Sequence, residues 1–517
     1  MKNKPENTDF RVFSIRIKSK KLTRKILSLL YKYRQFENIL LILINQNRDD
    51  FKYFTNKQVL RNALLDYNSK NPQKMEYLKK KYKDNQLWES LRGIAKSLKS
   101  HNLTYIISRV RANFITYFTN LKSYKGNHNS FAGMPKPPKP KKLSKLKYYS
   151  IELDRYTSLS FAKLESDNLI GINLSNKMVY IHCNAEQVKK LTQIDKLHSA
   201  RVVYDNGLLY LQISYLKERK QINSNTNKSA GIDIGINNLA SIFIDDKNTP
   251  SLVISGKPYK YYNSKFNRLV AKLNESKSKE VLQWKENGAG SKYPIEYTEK
   301  GKRIGKFISF LFGKRDRYFK DQFHKISKRI VEYLYINEVS DVYISKNLAE
   351  LKNNGDCKLN KSVKQNFIQI PIIQLLKYIE YKAQEYGIKI HWIDEQYSSK
   401  VSCISGDVNS VQDNPMLTNA FNGRRVSRGL FLDTKINKIF NADLNGAVNH
   451  IKIGVKRSFI WLTDYLFKVC NPIRIKCDYE FCKFLKGLQN SGSGKSVFLL
   501  DTEASYSNIL TENVSLC

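Results

Sequence analysis

The stretch SAGIDIGINNLASIFIDD, Ser229–Asp246, holds two apolar runs joined at Asn237 and Asn238, residue types suited to a tight turn. It predicts a strand, a turn and a second strand. Asp233 lies inside the first run with glycines on either side. Small neighbours let a large anionic ligand approach that carboxylate, and an ionised group at the centre of a sheet needs a cation nearby to offset its burial. An Asp beside Gly can also simply open a turn, but here strand residues flank it on both sides.

Toward the C-terminus the pattern continues as strands alternating with helices. SLVISG (Ser251–Gly256) predicts a third strand, helical periodicity runs over about Tyr259–Glu280 and Lys306–Tyr335, and DVYIS (Asp341–Ser345) predicts a fourth strand. IPIIQLLKYIEYKAQEYG (Ile370–Gly387) reads as a helix closed by Gly387, and IKIHWID (Ile388–Asp394) as a fifth strand. FNADLNGAVNHI (Phe440–Ile451) opens a last helix with Ala447, Val448 and Ile451 as its buried stripe. Three antiparallel strands, then parallel strands separated by helices, then a terminal helix is the element order of the RNase H-like fold. Asp443 falls near the start of that last helix, where the dipole favours any acidic residue. Taken with Asp233 it suggests more: two-metal phosphodiester cleavage requires carboxylates converging on divalent cations about 4 Å apart. Two aspartates leave such a cage incomplete.

Toward the N-terminus the chain changes character. VVYDNGLLYLQIS (Val202–Ser214) is a hairpin turning at Asp205-Asn206-Gly207, within a β-rich region that begins near Tyr148. GMPKPPKPKK (Gly133–Lys142) carries four prolines and interleaved lysines, which forbid a helix and predict a stiff extended connector. From about Leu22 to Tyr124 the pattern is helical, with Ile107, Val110, Phe114 and Leu121 at helical spacing and Arg109, Arg111 and Lys122 on other faces. Those basic faces are either solvated or track phosphates. FRVFSIRIK (Phe10–Lys18) alternates like a half-buried strand. Beyond about Lys456 no clear periodicity is left; GSGKS there lacks the further glycine of a phosphate-binding loop, Gln489 holding its place, and the tail is expected to be flexible.

At 517 residues the chain is long enough for two or three domains with their own cores. Lys and Arg number 89 against 46 Asp and Glu, an excess of 43 spread along the whole length, so a long polyanion is the expected partner. A membrane-surface protein is the competitor, yet the longest clean apolar run, Ile39–Ile44, is far short of the roughly 20 residues of a spanning helix. MKNKPENTDF at the N-terminus lacks the apolar core of a secretory signal, which predicts a cytoplasmic protein. The seven cysteines form no CxxC pair, and no zinc is expected. Lys302, Arg303, Lys306, Lys314, Arg315, Arg317, Lys320, Lys325, Lys328 and Arg329 crowd one helical region and predict contacts with a nucleic-acid backbone, with Tyr and Phe available to stack on bases.

GIDIGINNLAS, QNFIQIP (Gln365–Pro371), YKAQEYGIKI, DEQYSSKVS, GRRVSRGLF and NADLNGAVNHI together resemble the RuvC-type nuclease domain of the TnpB family, transposon-encoded RNA-guided endonucleases related to type V CRISPR effectors. The likeness covers roughly Phe10–Lys452 and is strongest after Gly231. It implies a multidomain α+β protein with these parts: a wedge β-domain from residues 1–21 and 148–227, a helical recognition domain at 22–132, a connector at 133–147, a RuvC-like nuclease domain at 228–456, and a tail at 457–517. It further implies a transposon-derived guide RNA, a double-stranded DNA target, and cleavage in the cytoplasm with two Mg²⁺ ions, replaceable by Mn²⁺. Asp233 matches the family's first catalytic aspartate and Asp443 its last. Lys400, Arg424 and Arg425, in two of the matching blocks, join Lys302, Arg303, Lys306, Arg315, Arg317 and Lys320 as expected nucleic-acid contacts.

Two departures matter. The family's usual Glu at the end of the fourth strand is Ser345 here, and its usual zinc ribbon is missing, only Cys403 standing between Tyr397 and Phe440. The chain thus resembles the TnpB branch whose fifth strand is followed by Glu-x-Tyr-Ser/Thr-Ser-Lys, here Glu395–Lys400. Parallel neighbours lie about 4.8 Å apart and open on one edge of the sheet, so a Glu one strand over can reach the place of the absent one. Glu395 is therefore expected to complete the metal cage, with Ser345 and Asn347 as hydrogen-bonding support. Glu350 is a rival on the loop after the fourth strand; Asp394 is another, set on the opposite face by strand alternation. Two other functions stay open at this point: a nuclease-dead RNA-guided binder, suggested by Ser345, and an actin-like ATPase, whose first phosphate loop also opens with GIDIG.

Overall fold

The computed structural model describes residues 8–68, 72–143, 149–175, 177–194, 197–205, 207–219, 228–288, 290–346, 369–414, 421–427, 429–456 and 462–490. The chain divides into two compact units, Met1–Glu218 and Arg219–Cys517. No helix among the described residues is long and apolar enough to cross a membrane.

In the first unit, β1 (Thr8–Arg16) pairs antiparallel with a strand from the far end of the unit, and α1 (Lys20–Gln46) begins four residues later, capped by Ser19. A long helix, α2 (Ser100–Gly126), follows several short ones. Next come β2 (Tyr149–Leu153), β3 (Leu197–Asp205) and β4 (Leu208–Glu218), giving a four-stranded sheet in the order β1-β4-β3-β2. The hairpin of β3 and β4 turns at Gly207, whose φ of +84° suits a residue without Cβ; Asn206 lies outside the described residues. The proline-rich connector runs along α1, where Asn45 donates to the carbonyl of Pro138 (2.9 Å) and Asn38 to that of Lys141 (2.7 Å). Arg109, expected on an outer face of α2, instead turns inward. Its guanidinium donates to both oxygens of the buried Glu37 (3.2 and 3.0 Å) and to the Ser150 carbonyl, tying α1, α2 and β2 together.

The second unit is built on β5 (Lys228–Asp233), β6 (Asn238–Ile244), β7 (Leu252–Ser255), β10 (Val339–Ser345) and β11 (Lys389–Ile393). The first three are antiparallel, and β10 and β11 run parallel to β5 on its other side, the element order read from the sequence. Between β7 and β10 the chain forms α3 (Lys257–Ser278), a two-stranded hairpin of β8 (Val281–Glu286) and β9 (Lys292–Tyr297), and α4 (Glu299–Ile336). That hairpin was not foreseen. Its strands bury little, so they carry none of the apolar alternation that reveals a half-buried strand. Next are α5 (Ile372–Glu385), then the small antiparallel sheet of β12 (Gly423–Ser427), β13 (Leu430–Asp433) and β14 (Lys438–Asn441), and finally α6 (Ala442–Val455).

Part of the expected flexible tail is ordered structure. α7 (Leu462–Cys470), β15 (Ile473–Ile475) and α8 (Asp478–Asn490) follow α6, and β15 pairs parallel with β7 as the sixth strand of the order β11-β10-β5-β6-β7-β15. Lys468 of α7 donates to the carbonyls of Ile244 (2.8 Å) and Asp246 (2.6 Å) at the end of β6, and burial pushes its amine down to about 7. Three strand residues and two short helices held by long-range pairing leave little periodicity to read.

Strand alternation sends the two faces of the sheet to separate cores. Ile232, Ile242, Ile244, Val342 and Ile344 pack with Phe319, Phe323 and Ile330 of α4, Leu375 of α5 and Phe481 of α8. Phe243, Val253 and Tyr343, one residue out of step, face Leu444, Ala447 and Ile451 of α6. α6 thus lies across the sheet on the face that also carries Asp233.

Candidate metal centre

Asp233 is the last residue of β5, and Gly231, two residues earlier, shares its face. A Cβ on Gly231 would stand 1.8 Å from the Ala447 carbonyl oxygen, and one on Gly446 would stand 3.1 Å from Asp233 Oδ2. Gly231 must therefore be free of side chain for α6 to approach the strand this closely, and at Gly446 a side chain would crowd the carboxylate. Gly231, before Asp233 in the sequence, and Gly446 in NADLNGAVNHI serve the same contact from its two sides, whereas Gly235 faces the Asn238 carbonyl.

Glu395 arrives from the end of β11, with β10 between it and β5. β11 stops at Ile393, so Asp394 and Glu395 lie just past the ladder, and strand alternation does not choose between them. Turn geometry does. Asp394 Oδ1 accepts the Gln396 amide (3.3 Å) and its other oxygen stands 3.9 Å from Lys346 Nζ, whereas Glu395 points to Asp233. The turn itself is fastened to α6: Asn445 and Asn449 donate to the carbonyls of Ser398 and Val401 at 2.8–3.3 Å, and Asn445 Oδ1 accepts the Cys403 amide at 2.7 Å. Ser345, 2 % exposed at the end of β10, hydrogen-bonds the Glu395 carboxylate. Asn347 and Glu350 lie outside the described residues.

Ligand-type atoms of Asp233, Glu395 and His450 lie within 4.8 Å of one another. Burial pushes the Asp233 carboxyl up from 3.8 to about 7; His450 and Arg425 oppose the shift, and Asp443 and Glu395 add to it as like charges. Burial also raises Glu395, but hydrogen bonds from His450 and Ser345 and the charge of His450 outweigh it, leaving this carboxyl below its usual range. Asp443 sits in the first turn of α6, behind the Asn441 cap, with Oδ2 accepting from Asn238 Nδ2 at 2.6 Å and Oδ1 3.8 Å from the Arg425 guanidinium. The Asp233 and Glu395 carboxylates, of unlike proton affinity, and an imidazole nitrogen form a donor set that fits a divalent cation, while Asp443 acts on Asp233 as a nearby like charge and is not in that group.

His450, Asn445, Asn449 and Asn238 escaped the sequence reading. Helical spacing offered a signal for His450, since a residue seven after Asp443 lies two turns on and nearly on the same face. The asparagines offered none, because their partners, backbone groups for Asn445 and Asn449 and the Asp443 carboxylate for Asn238, are brought close only by the fold.

The basic residues separate into two groups. Lys302, Arg303, Lys306, Lys314 and Lys320 are exposed on α4, as are Lys400 after β11 and Arg424 and Arg425 on β12, while Arg317 is half-buried. Arg315 is a correction: it is 8 % exposed, donates to Asn263 Oδ1 (3.1 and 2.8 Å) and to the Gln369 carbonyl, and stacks near Phe266 and Phe319. It joins α3 to α4 and is not a surface contact. Lys325, Lys328 and Arg329 pair with Asp321 and Glu332.

Residues 212–350 match a family model described as a probable transposase, OrfB_IS605, and residues 374–450 match the Cas12f1-like TNB domain. A TnpB-like protein, ORF457 of Acidianus two-tailed virus, is 28 % identical over 240 residues, 44 % of this chain and 42 % of that protein. The matched stretch therefore spans less than half of that relative. These matches bear out the resemblance to the TnpB family. Among solved structures, the Cas12f1–sgRNA–target DNA complex aligns with a TM-score of 0.49 at 14 % identity, covering 86 % of this chain and 99 % of that one. The AacC2c1–sgRNA binary complex aligns with a TM-score of 0.34 at 11 % identity, covering 84 % and 70 %.

Proposed function

We propose that this chain is an RNA-guided DNA endonuclease of the TnpB kind, whose second unit is an RNase H-like, RuvC-type nuclease using two divalent cations, Mg²⁺ or Mn²⁺. The observation that carries the reading is the convergence of Glu395 on Asp233, with Ser345 hydrogen-bonded to that same glutamate. The carboxylate missing from β10 is supplied from β11. A raised Asp233 carboxyl supports a cation at this place, because a positive charge beside it offsets the burial of the ionised form.

Asp233, Glu395 and Asp443 would hold the cations, which when bound polarise the scissile phosphate and lower the pKa of an attacking water. The chain's own groups set the geometry. β5 fixes Asp233 at a strand end, the α6 asparagines hold the Glu395 turn, and Asn238 orients Asp443. Arg425, 3.8 Å from Asp443 and exposed, is placed to meet a backbone phosphate entering the site. Lys302, Arg303, Lys306, Lys320, Lys400 and Arg424 extend that positive surface for guide RNA and double-stranded target DNA. In the first unit, the helices of residues 22–132 and the β-rich wedge complete the recognition of the guide and its target.

The test is plasmid cleavage by the protein copurified with its RNA, after that RNA has been sequenced and a matching target built. Mg²⁺-dependent cutting that is lost in Glu395→Gln is the expected result. Cutting retained by Glu395→Gln removes this residue from the mechanism, and target binding without any cutting favours the nuclease-dead binder. ATP turnover without nucleic acid would revive the actin-like reading.

A further inference from the structure

His450 is 1 % exposed, inside the contact between α6 and the sheet. Its Nδ1 lies 3.1 Å from the Ile232 carbonyl oxygen, an atom that can only accept, so Nδ1 carries the hydrogen. In the neutral ring this leaves a lone pair on Nε2. That nitrogen is 3.4 Å from Glu395 Oε2, and a ring nitrogen of His450 lies within 4.8 Å of an Asp233 carboxylate oxygen.

With the cation absent, a proton on Nε2 meets Glu395, the hydrogen bond described above; with a divalent ion between them the ring is neutral and its lone pair takes the proton's place. Two ligands at about 2.1 Å from one divalent ion, set at roughly 90–110°, are about 3.0–3.4 Å apart, and the separation of Nε2 from Glu395 falls at the end of that range. Histidines that bind metals commonly donate their other ring N–H to a backbone carbonyl, which fixes the tautomer and points the free nitrogen at the ion. Ile232, next to Asp233 on β5, gives His450 that partner. The strand that carries the acidic ligand also orients the imidazole.

Resting on the metal-site reading above, we infer that His450 Nε2 is a direct ligand of the cation held by Asp233 and Glu395. An imidazole in the set shifts preference from Mg²⁺ toward Mn²⁺, since nitrogen donors suit transition ions and Mg²⁺ favours oxygen. The rival arrangement has both ring nitrogens protonated, with His450 as an ion-pair partner of Glu395 and outside the coordination sphere.

Electron spin-echo spectroscopy of the full chain with its copurified RNA, loaded with Mn²⁺, separates the two. Directly bound imidazole nitrogen modulates the Mn²⁺ echo, and ¹⁵N labelling of histidine alone assigns the modulation without any substitution. The expected result is a histidine modulation in the wild-type protein that is lost in His450→Gln, with Mn²⁺ affinity at least about tenfold weaker and the Mn²⁺ over Mg²⁺ preference reduced. Mn²⁺ bound in a manner sensitive to Asp233→Asn, but with no histidine modulation, overturns the inference and leaves the metal site standing. Mn²⁺ binding indifferent to Asp233→Asn and Glu395→Gln overturns both.

Discussion

β10 and β11 lie side by side and parallel, with Ser345 opposite Ile393, yet the two strand ends do different work. β10 stops at a buried hydroxyl. β11 stops at Ile393, and two residues later Glu395 turns back over its neighbour's end, where Ser345 meets its carboxylate. A charge needed at one point in space can therefore come from either of two adjacent strands, because their separation of about 4.8 Å is within the reach of a glutamate side chain. The backbone position of a site residue and the place of its functional atoms are separable.

The most severe break in this comparison is Glu395→Gln, which keeps shape and removes charge. Target cleavage is expected to fall by at least about a thousandfold, measured as single-turnover rate on a matched plasmid. Adding Ser345→Glu to that variant moves the carboxylate back to β10, and partial recovery of the rate is expected if the two strand ends serve one cage. No recovery would mean that the Glu395 turn supplies something besides charge.

Next in size is Gly231→Ala. Its Cβ would stand 1.8 Å from the Ala447 carbonyl, so α6 must move off β5, at a cost of about 1–3 kcal/mol, read from denaturant unfolding. Unchanged stability would show that α6 is not packed as described. Ser345→Ala should be milder, lowering cleavage by about ten- to a hundredfold while the fold persists, because it removes only the hydrogen bond behind Glu395. A variant as fast as wild type would leave Ser345 no part in holding that carboxylate.

The smallest effect is one of pH on the metal-free protein. A carboxyl raised from 3.8 to about 7 on folding binds its proton more tightly in the folded state, so the stability it carries is present at low pH and lost as pH rises through that window. Thermal melts in chelator between pH 4 and 8 should therefore show a downward component with rising pH that disappears in Asp233→Asn. Equal slopes in the two proteins would mean that Asp233 is not held in this environment.

Much of the second unit was legible in advance. Short apolar runs marked β5, β6, β7, β10 and β11, and apolar spacing marked α5 and α6, because buried elements write their burial into the chain. The hairpin of β8 and β9 left no such mark, since little of it is buried, and β15 is three residues whose pairing with β7 is set more than 200 residues away in sequence. Arg315 and Arg109 look like surface charge in any linear reading. Only their buried partners, Asn263 and Glu37, decide otherwise.

The acidic residues divide the same way. Asp233 and Asp443 are marked by their neighbours, glycines that clear a path in one case and a helix start in the other. The sequence already favoured Glu395 over Asp394, but that its carboxylate points to Asp233, and that His450 lies beside them, depends on tertiary contacts: the carbonyls of Ser398 and Val401 held by two asparagines of α6, and the Ile232 carbonyl beside Nδ1. Local patterns record which faces are buried, while the direction of a side chain beyond a strand end depends on hydrogen bonds to segments remote in sequence.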